Sequence, residues 1–379
     1  MTMVALGTFL AAVFLLGYIF AGYPLMVWLL ASCRGRGARR DPDYRPTVEA
    51  VVIAHNEAGT IGRKIENLLS LDYPEDRLTV LVVSDASLDE TCDVVCGIDS
   101  PRVRLMHFDT KSSKAACLNR AIASSTAEVL LLTDCRQALA EDVALRLVAP
   151  LADPTVAAAS GELVFEQEGE NDFSKGMDAY WRYEKFIRKC ESAIGSTVGV
   201  TGAIYVLRRA TYIPIPEETL LDDVLIPMNV VMAGQRVLFE SEAYAFDVPS
   251  NDPVREKQRK TRTIAGNFQL PSLSPALLSP RANPIWWQFV SHKMLRLLAP
   301  LLLVVALISN WLIIDLHPIF MVTLTAQFLV HGLVLLSLIF ETLRSFKLIR
   351  IVRAFHDLMY FTVLGAWTFF RGRALSSWK

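Results

Sequence analysis

Charge is what this sequence has little of. Only 20% of its 379 residues are charged, below the roughly 25% of ordinary soluble domains. The 38 Lys and Arg nearly cancel the 39 Asp and Glu, leaving a formal net charge of −1, so no whole-chain field favours a nucleic-acid partner. Cysteine is equally uninformative. Cys33, Cys92, Cys96, Cys117, Cys135 and Cys190 fall at no paired metal-ligand spacing, and thiols in a cytosolic domain stay reduced. Repeats and low-complexity tracts are missing, as is the glycine spacing of a P-loop, which disfavours P-loop nucleotide hydrolysis. Disorder, collagen and secreted disulfide scaffolds are all excluded by this composition.

Apolar residues, at 52%, are what the chain has in excess, and they are concentrated. Residues 1–32 contain no charge, more than the ~20 needed to cross a bilayer. No basic region precedes this stretch, and it exceeds the usual ~7–15 residues of a signal peptide core, so it reads as an anchor. Arg34, Arg36, Arg39 and Arg40 follow at once, a basic flank that predicts a cytosolic side for the next segment. Two further uncharged runs, 297–314 and 316–340, predict a helical hairpin. Ahead of it, Trp286, Trp287 and Phe289 alternate with Gln288, His292 and Arg296, which predicts a helix at headgroup level. The expected organisation is an anchor over 1–33, a soluble domain over 44–278, an interfacial helix over 284–298 and a hairpin over 297–341. Residues 344–379 form a basic amphipathic segment with a short apolar stretch. Three spans are expected and a fourth is left open, its basic tail holding Arg371, Arg373 and Lys379.

Within the soluble domain, apolar runs at 48–54, 78–84, 103–107 and 128–133 alternate with helical patterns at 60–71, 90–96, 114–124 and 141–149. Strands this apolar belong in a parallel sheet covered by helices on both faces. Asp85 and Asp134 each close such a strand, and ligands of open α/β sheets sit outside strand carboxyl ends. Lys111-Ser112-Ser113-Lys114 precedes a helix whose free N–H groups suit phosphate. Asp222 and Asp223 stand side by side before a helical run, where mutual repulsion would raise one pKa into the range of a general base. Each feature alone is equally well explained as a helix cap or an acidic helix start; their combination is not. Aromatic residues across 180–186 are read as packing, with sugar or lipid contact as the alternative.

These residues, in this order, resemble the membrane-bound family-2 glycosyltransferases, the group of the cellulose, chitin and hyaluronan synthases. The resemblance runs through VVIAHNEAGTIG (51–62), VVSDASLDET (82–91), KSSKAACLN (111–119), TDCR (133–136), VTGAIYVLRR (200–209), LLDD (220–223) and RKTRTIAGNFQ (259–269). It implies an α/β domain of the GT-A type set between transmembrane helices. By the same resemblance Asp85 holds the nucleotide base with Ala54, Asn56 and Glu57 around it, and Lys114 contacts the diphosphate. Asp134, first residue of D-x-D, binds the divalent metal, Mg²⁺ or Mn²⁺. Asp223 closes the T-E-D motif as catalytic base, Gly202, Asp222 and Thr263 lie on the acceptor side, and Arg262 of Q-x-x-R-W holds the leaving diphosphate.

Two departures stand out. Arg136 replaces the second D-x-D carboxylate, removing a metal ligand and offering a fixed positive charge near the diphosphate instead. Thr263 replaces the Trp that stacks on the acceptor sugar, and Arg259 the Gln, which argues against processive synthesis. The expected activity is inverting transfer from a nucleotide sugar, a UDP-sugar foremost, to a glycan or lipid-linked acceptor at the inner face of a bacterial-type membrane. Exopolysaccharide or cell-surface glycan synthesis would be the context, with a homo-oligomer or synthase complex as partner. The alternatives are a single-sugar transferase acting on lipid, and a non-catalytic subunit that binds nucleotide sugar.

Overall fold

A computed structural model describes residues 1–165, 172–248, 252–344 and 346–372. The tail holding Arg373 and Lys379 lies outside the described residues. Eight strands form one sheet: β1 (Val48–Ala54), β2 (Leu78–Asp85), β3 (Val103–Phe108), β4 (Val129–Asp134), β5 (Ala138–Leu139), β6 (Val156–Phe165), β7 (Tyr205–Arg208) and β8 (Arg236–Asp247). Their order is β3-β2-β1-β4-β7-β6-β8-β5. The first four strands pair in parallel, with Ile53 opposite both Val83 and Asp134. Every residue of β1 is buried, because helices cover both faces. One apolar layer includes Ile61, Ile65 and Leu68, and the other Ala121, Leu225 and Met228.

The second half of the sheet departs from the all-parallel expectation. β7 runs antiparallel between β4 and β6. An antiparallel strand starts where its parallel neighbours end, so the turn entering β7, which contains Gly202, lies at the carboxyl edge. That places it beside Asp134.

The helices follow the predicted pattern in the first half: α1 (Thr2–Arg34), α2 (Ala58–Leu69), α3 (Thr91–Cys96), α4 (Lys114–Ser124) and α5 (Val143–Val148). Then come α6 (Asp172–Ile194), α7 (Asp222–Met232), α8 (Pro253–Leu273), α9 (Trp286–Leu297), α10 (Ala299–Leu312), α11 (Pro318–Ile339) and α12 (Lys347–Phe370). Among the described residues two helices, α1 and α11, are long and apolar enough to cross a membrane. A third crossing exists only if α9 and α10 count as one span bent by 60°. By itself α10 has 14 residues, about 21 Å, short of a ~30 Å hydrocarbon core. The basic segment and the short apolar stretch near the C-terminus, read separately from the sequence, form one continuous 24-residue helix.

A buried polar network ties α1 to the domain. Glu191 of α6 is wholly buried and accepts from the Tyr23 hydroxyl and, at 2.8 Å, from His292 Nδ1. His292 Nε2 donates to Glu184 at 2.9 Å, and Arg296 also pairs with Glu184. Two π-helical turns, Tyr18–Gly22 and Val290–Met294, face each other here and share a 2.7 Å bond between Tyr18 and Ser291 hydroxyls. The polar stripe expected at headgroup level is thus turned inward at His292 and Arg296, towards the carboxylates of α6. Both ring nitrogens of His292 face carboxylates, the arrangement an imidazolium satisfies.

Pro227 lies inside α7 and has no N–H, so the carbonyl of Asp223 loses its intrahelical partner. Val200 N–H takes that carbonyl at 2.8 Å. The neighbouring Gly199 has φ +90°, and a Cβ there would come within 3.2 Å of the same carbonyl oxygen. Gly199→Ala should therefore cost on the order of 1–3 kcal/mol from backbone strain, read as a lower thermal midpoint of the full chain. An unchanged midpoint would mean that this loop adapts freely.

Candidate active site

Several loops and strand ends meet at the carboxyl edge of the sheet. The loops after β1 and β2 form the first pocket. Asn56 (φ +56°) and Ala86 (φ +51°) both take left-handed backbone there, a strain that concentrates at functional sites. His55 Nδ1–H donates to the carbonyl of Asp85 at 2.6 Å, Asn56 N–H to Ser87 at 3.1 Å, and Glu57 N–H to Thr91 at 2.8 Å. Asp85 is fully buried; its Oδ1 accepts from Ser112 N–H at 2.7 Å, while Oδ2 is buried with no hydrogen-bond partner. A buried, half-satisfied carboxylate costs ~1–3 kcal/mol or more, and the carboxylate pushes up the neighbouring Cys117 thiol, after burial. Ala54 closes β1 beside it.

The Lys111–Lys114 loop connects this pocket to a second one, lined by Lys114, Asp134, Gly202, Tyr205 and Asp222 over a floor of Val51 and Ile53. Ser113 caps α4 by accepting from Ala116 N–H, which aims Lys114 inward. Its Nζ lies 3.0 Å from Asp134 Oδ1 and 3.3 Å from Asp222 Oδ2. Burial works against the ammonium, but Asp134 and Asp222 overcome it and hold Lys114 well above the usual lysine range. Burial and then the Asp222 carboxylate push Asp223 up to about 6, against the pull of Lys114 and Lys293. The carboxylate of Asp223 faces Gly202, where a Cβ would stand 3.4 Å from Oδ2. A side chain there would close the approach to that carboxylate.

The expected residues Lys114, Asp134, Asp222, Asp223 and Gly202 thus come together, as do Asp85, Asn56 and Glu57. Others are engaged elsewhere. Arg136 donates to Asp247 Oδ2 at 2.6 Å, beside Gln137 at 2.8 Å; its guanidinium is held by the end of β8 and, among the described residues, forms no ion pair with the acid cluster. Thr263 turns its hydroxyl onto its own helix, donating to the Arg259 carbonyl at 3.0 Å. Arg259 pairs with Glu256 at 2.8 Å. Arg262 is half-buried on α8. That helix is tied to the acid pair by Gln269, which donates to the Glu218 carbonyl at 2.8 Å and accepts from Leu220 N–H at 3.1 Å.

Two residues had no sequence signal. Tyr205 presents a buried hydroxyl without a hydrogen-bond partner in the second pocket. Lys64, within a helical pattern, is buried and donates to Thr133 at 2.8 Å and the Gln137 carbonyl at 2.7 Å. Burial lowers its pKa to about 7 against the pull of Asp134. It braces the turn between Asp134 and Arg136 from below.

As a metal site the donor set is sparse. Asp134 is 41% exposed, and among the described residues no three His, Cys, Asp or Glu side chains form a group able to hold an ion. One carboxylate oxygen plus phosphate oxygens is nevertheless an environment that Mg²⁺ and Mn²⁺ accept. The residues fit such an ion in company with a diphosphate.

The sheet order and these crevice positions define a GT-A fold, and comparison with known proteins agrees. Residues 49–212 match the model of glycosyl transferase family 2. An N-acetylglucosaminyltransferase of Bradyrhizobium elkanii is 31% identical over 136 residues, 34% of this chain and 73% of that protein. The chain belongs to glycosyl transferase family 2. The beta-monoglucosyldiacylglycerol synthase of Synechocystis is 28% identical over 152 residues, 38% of this chain, and the chain spans only 32% of that protein's length. Among solved structures, a mannosyltransferase of Pyrobaculum calidifontis in complex with GDP-Man and Mn²⁺ aligns over 97% of this chain and 99% of its own. The TM-score is 0.74 at 22% identity. That likeness extends the shared fold to the flanking helices.

With Asp134 as the one carboxylate proposed to hold the ion and Arg136 drawn to Asp247, Mn²⁺ should bind the nucleotide-free chain weakly. Affinity should rise at least about tenfold with UDP or GDP present, as phosphate oxygens join the ligand set. Arg136→Asp should raise affinity in the nucleotide-free state. Calorimetric titration of Mn²⁺ checks both; tight binding to the nucleotide-free wild type would show that other ligands complete the site.

Proposed function

We propose that this chain transfers a sugar from a nucleotide-diphosphate sugar to an acceptor hydroxyl at a membrane surface, with inversion at the anomeric carbon. One observation carries the reading: a carboxylate with its pKa raised to about 6, Asp223, lies against Gly202, which lines the same crevice as the Lys114 ammonium. The acceptor oxygen attacks the anomeric carbon as its proton passes to Asp223. The bond from that carbon to the diphosphate oxygen breaks, and its electron pair leaves with the diphosphate. Lys114 offsets the charge that develops there, and Arg262 is assigned to the same role. A Mg²⁺ or Mn²⁺ ion held at Asp134 supplies further charge stabilisation when bound. The orphaned Oδ2 of Asp85 accepts the ring N–H that both uracil and guanine offer, so donors of either base are candidates, a UDP-sugar first.

The membrane setting rests on α1 and α11 and on the Arg34–Arg40 flank, which assigns the domain to the cytosolic side of a bacterial-type plasma membrane. Thr263, bonded back to its own helix, supplies no stacking surface for a growing polymer. A single transfer to a lipid-linked acceptor is therefore the favoured form, the chemistry that the name of the Synechocystis relative describes for that protein. A non-catalytic subunit would have no use for Asp223.

Asp223→Asn should keep nucleoside diphosphate binding while transfer falls by roughly two to four orders of magnitude. A wild-type rate in that variant would move the base to Asp222. The wild-type kcat/KM should fall about tenfold per pH unit below about pH 6 as Asp223 takes up a proton. Asp222→Asn removes the neighbouring like charge, so this acid limb should move to lower pH; an unmoved limb would detach it from Asp223.

Membranes containing the full chain, incubated with UDP- and GDP-sugars and analysed by mass spectrometry, should show one sugar added to a lipid extract. Nucleotide binding with no product and no released diphosphate would favour the subunit reading.

A further inference from the structure

Lys347, Arg350 and Arg353 recur every third residue along the first turns of α12, and Asp357 is its sole carboxylate. Lys347 is exposed, and so is a set of apolar side chains on the same helix: Leu348 is 72% exposed, Tyr360 53%, Trp367 52% and Phe370 76%. The Arg371 guanidinium lies 3.8 Å from the centre of the Trp367 ring. Cations beside exposed aliphatic and aromatic groups are the composition of a helix lying in a headgroup layer, and α12 follows the span candidate α11 after seven residues.

This helix also grips α8. Lys257 and Lys260 of α8 sit over the rings of Tyr360 and Phe361 at 5.6 and 5.2 Å. Phe268 stacks on Phe369 with centroids 6.2 Å apart. At Gly365 the two helices approach so closely that a Cβ would lie 2.6 Å from Ile264 Cγ2. Contact of this kind moves two helices together. Through Gln269, α8 holds residues 218 and 220, just before Asp222 and Asp223.

We propose that α12 is a docking surface for the headgroups of anionic membrane lipids, and that its seating on them sets the position of α8 beside the acid pair. Charge complementarity selects anionic over zwitterionic headgroups. The inference rests on the membrane reading above, though not on any activity.

Hydrogen exchange of the full chain in nanodiscs of phosphatidylcholine alone, and of phosphatidylcholine with one third phosphatidylglycerol, tests it. Amides of 347–370 should exchange on the order of tenfold more slowly in the anionic discs, those of 253–273 should follow, and high salt should close the gap. K347Q/R350Q/R353Q should abolish the difference, whereas the charge-conserving K347R/R350K/R353K should retain it. Gly365→Leu, and independently the milder Phe268→Ala, should leave the response of α12 intact and remove that of α8. Equal exchange in both discs, or a difference that survives the triple Gln variant, would overturn the inference alone. So would protection that tracks the number of protein copies per disc rather than lipid charge, which would assign the face to a second copy. A chain that enters neither disc would overturn the membrane reading with it.

Discussion

Asp134, Asp222 and Asp223 share one crevice because the Lys114 ammonium stands among them, 3.0 Å from Asp134 and 3.3 Å from Asp222. Breaking a buried pair by removing one partner typically costs ~3–5 kcal/mol. The lysine therefore holds β4, α4 and α7 in register with one another as well as occupying the site. It also leaves the acids unequal. Asp134 and Asp222 are directly paired with Lys114, whereas Asp223 forms no ion pair among the described residues and shows the raised pKa. One cation thus leaves two paired carboxylates and one with a raised pKa, a difference that environment alone can impose on like side chains; the proposed mechanism uses it.

The same economy links the first helix to the chemistry. Glu191 is buried with its oxygens facing Tyr23, His292 and, at 3.3 Å, the amide of Val198. That amide opens the loop whose next amide but one, Val200, holds the carbonyl of Asp223. A residue of a membrane-type helix is therefore three short steps from the proposed base. Losing a member of such a buried network is costly, so the packing of the first helix and the placement of the acid pair are tied together.

Much of this was legible beforehand, for local reasons. β1 was read from its apolar run with its observed bounds, and α4 from Lys114 to Ser124 likewise. Asp85 and Asp134 were placed at strand ends because a polar residue closing a continuous apolar run marks the edge of a buried strand. The motif position of Arg136 leads to the expectation of a charge near the diphosphate, but local reasoning does not supply what holds its guanidinium. Its partner Asp247 is 111 residues away, and no spacing rule reaches that far. The same holds for His292 and Arg296: a helical stripe of polar residues looks alike whether it faces lipid headgroups or the glutamates of α6.

By itself the sequence determined which segments are strands and helices in the first half of the domain. It also set where the long apolar helices fall and which acidic and basic residues close strands or open helices, since all of these follow from periodicity and nearest neighbours. Only the tertiary structure decided that β7 runs antiparallel and delivers Gly202 and Tyr205 to the crevice, and that Lys64 is buried. It alone decided that Lys114 serves two carboxylates and that α12 packs onto α8. These outcomes depend on charges and surfaces brought together from distant parts of the chain. Their energies come from burial and Coulombic proximity, and both are set by the folded arrangement rather than by order along the chain.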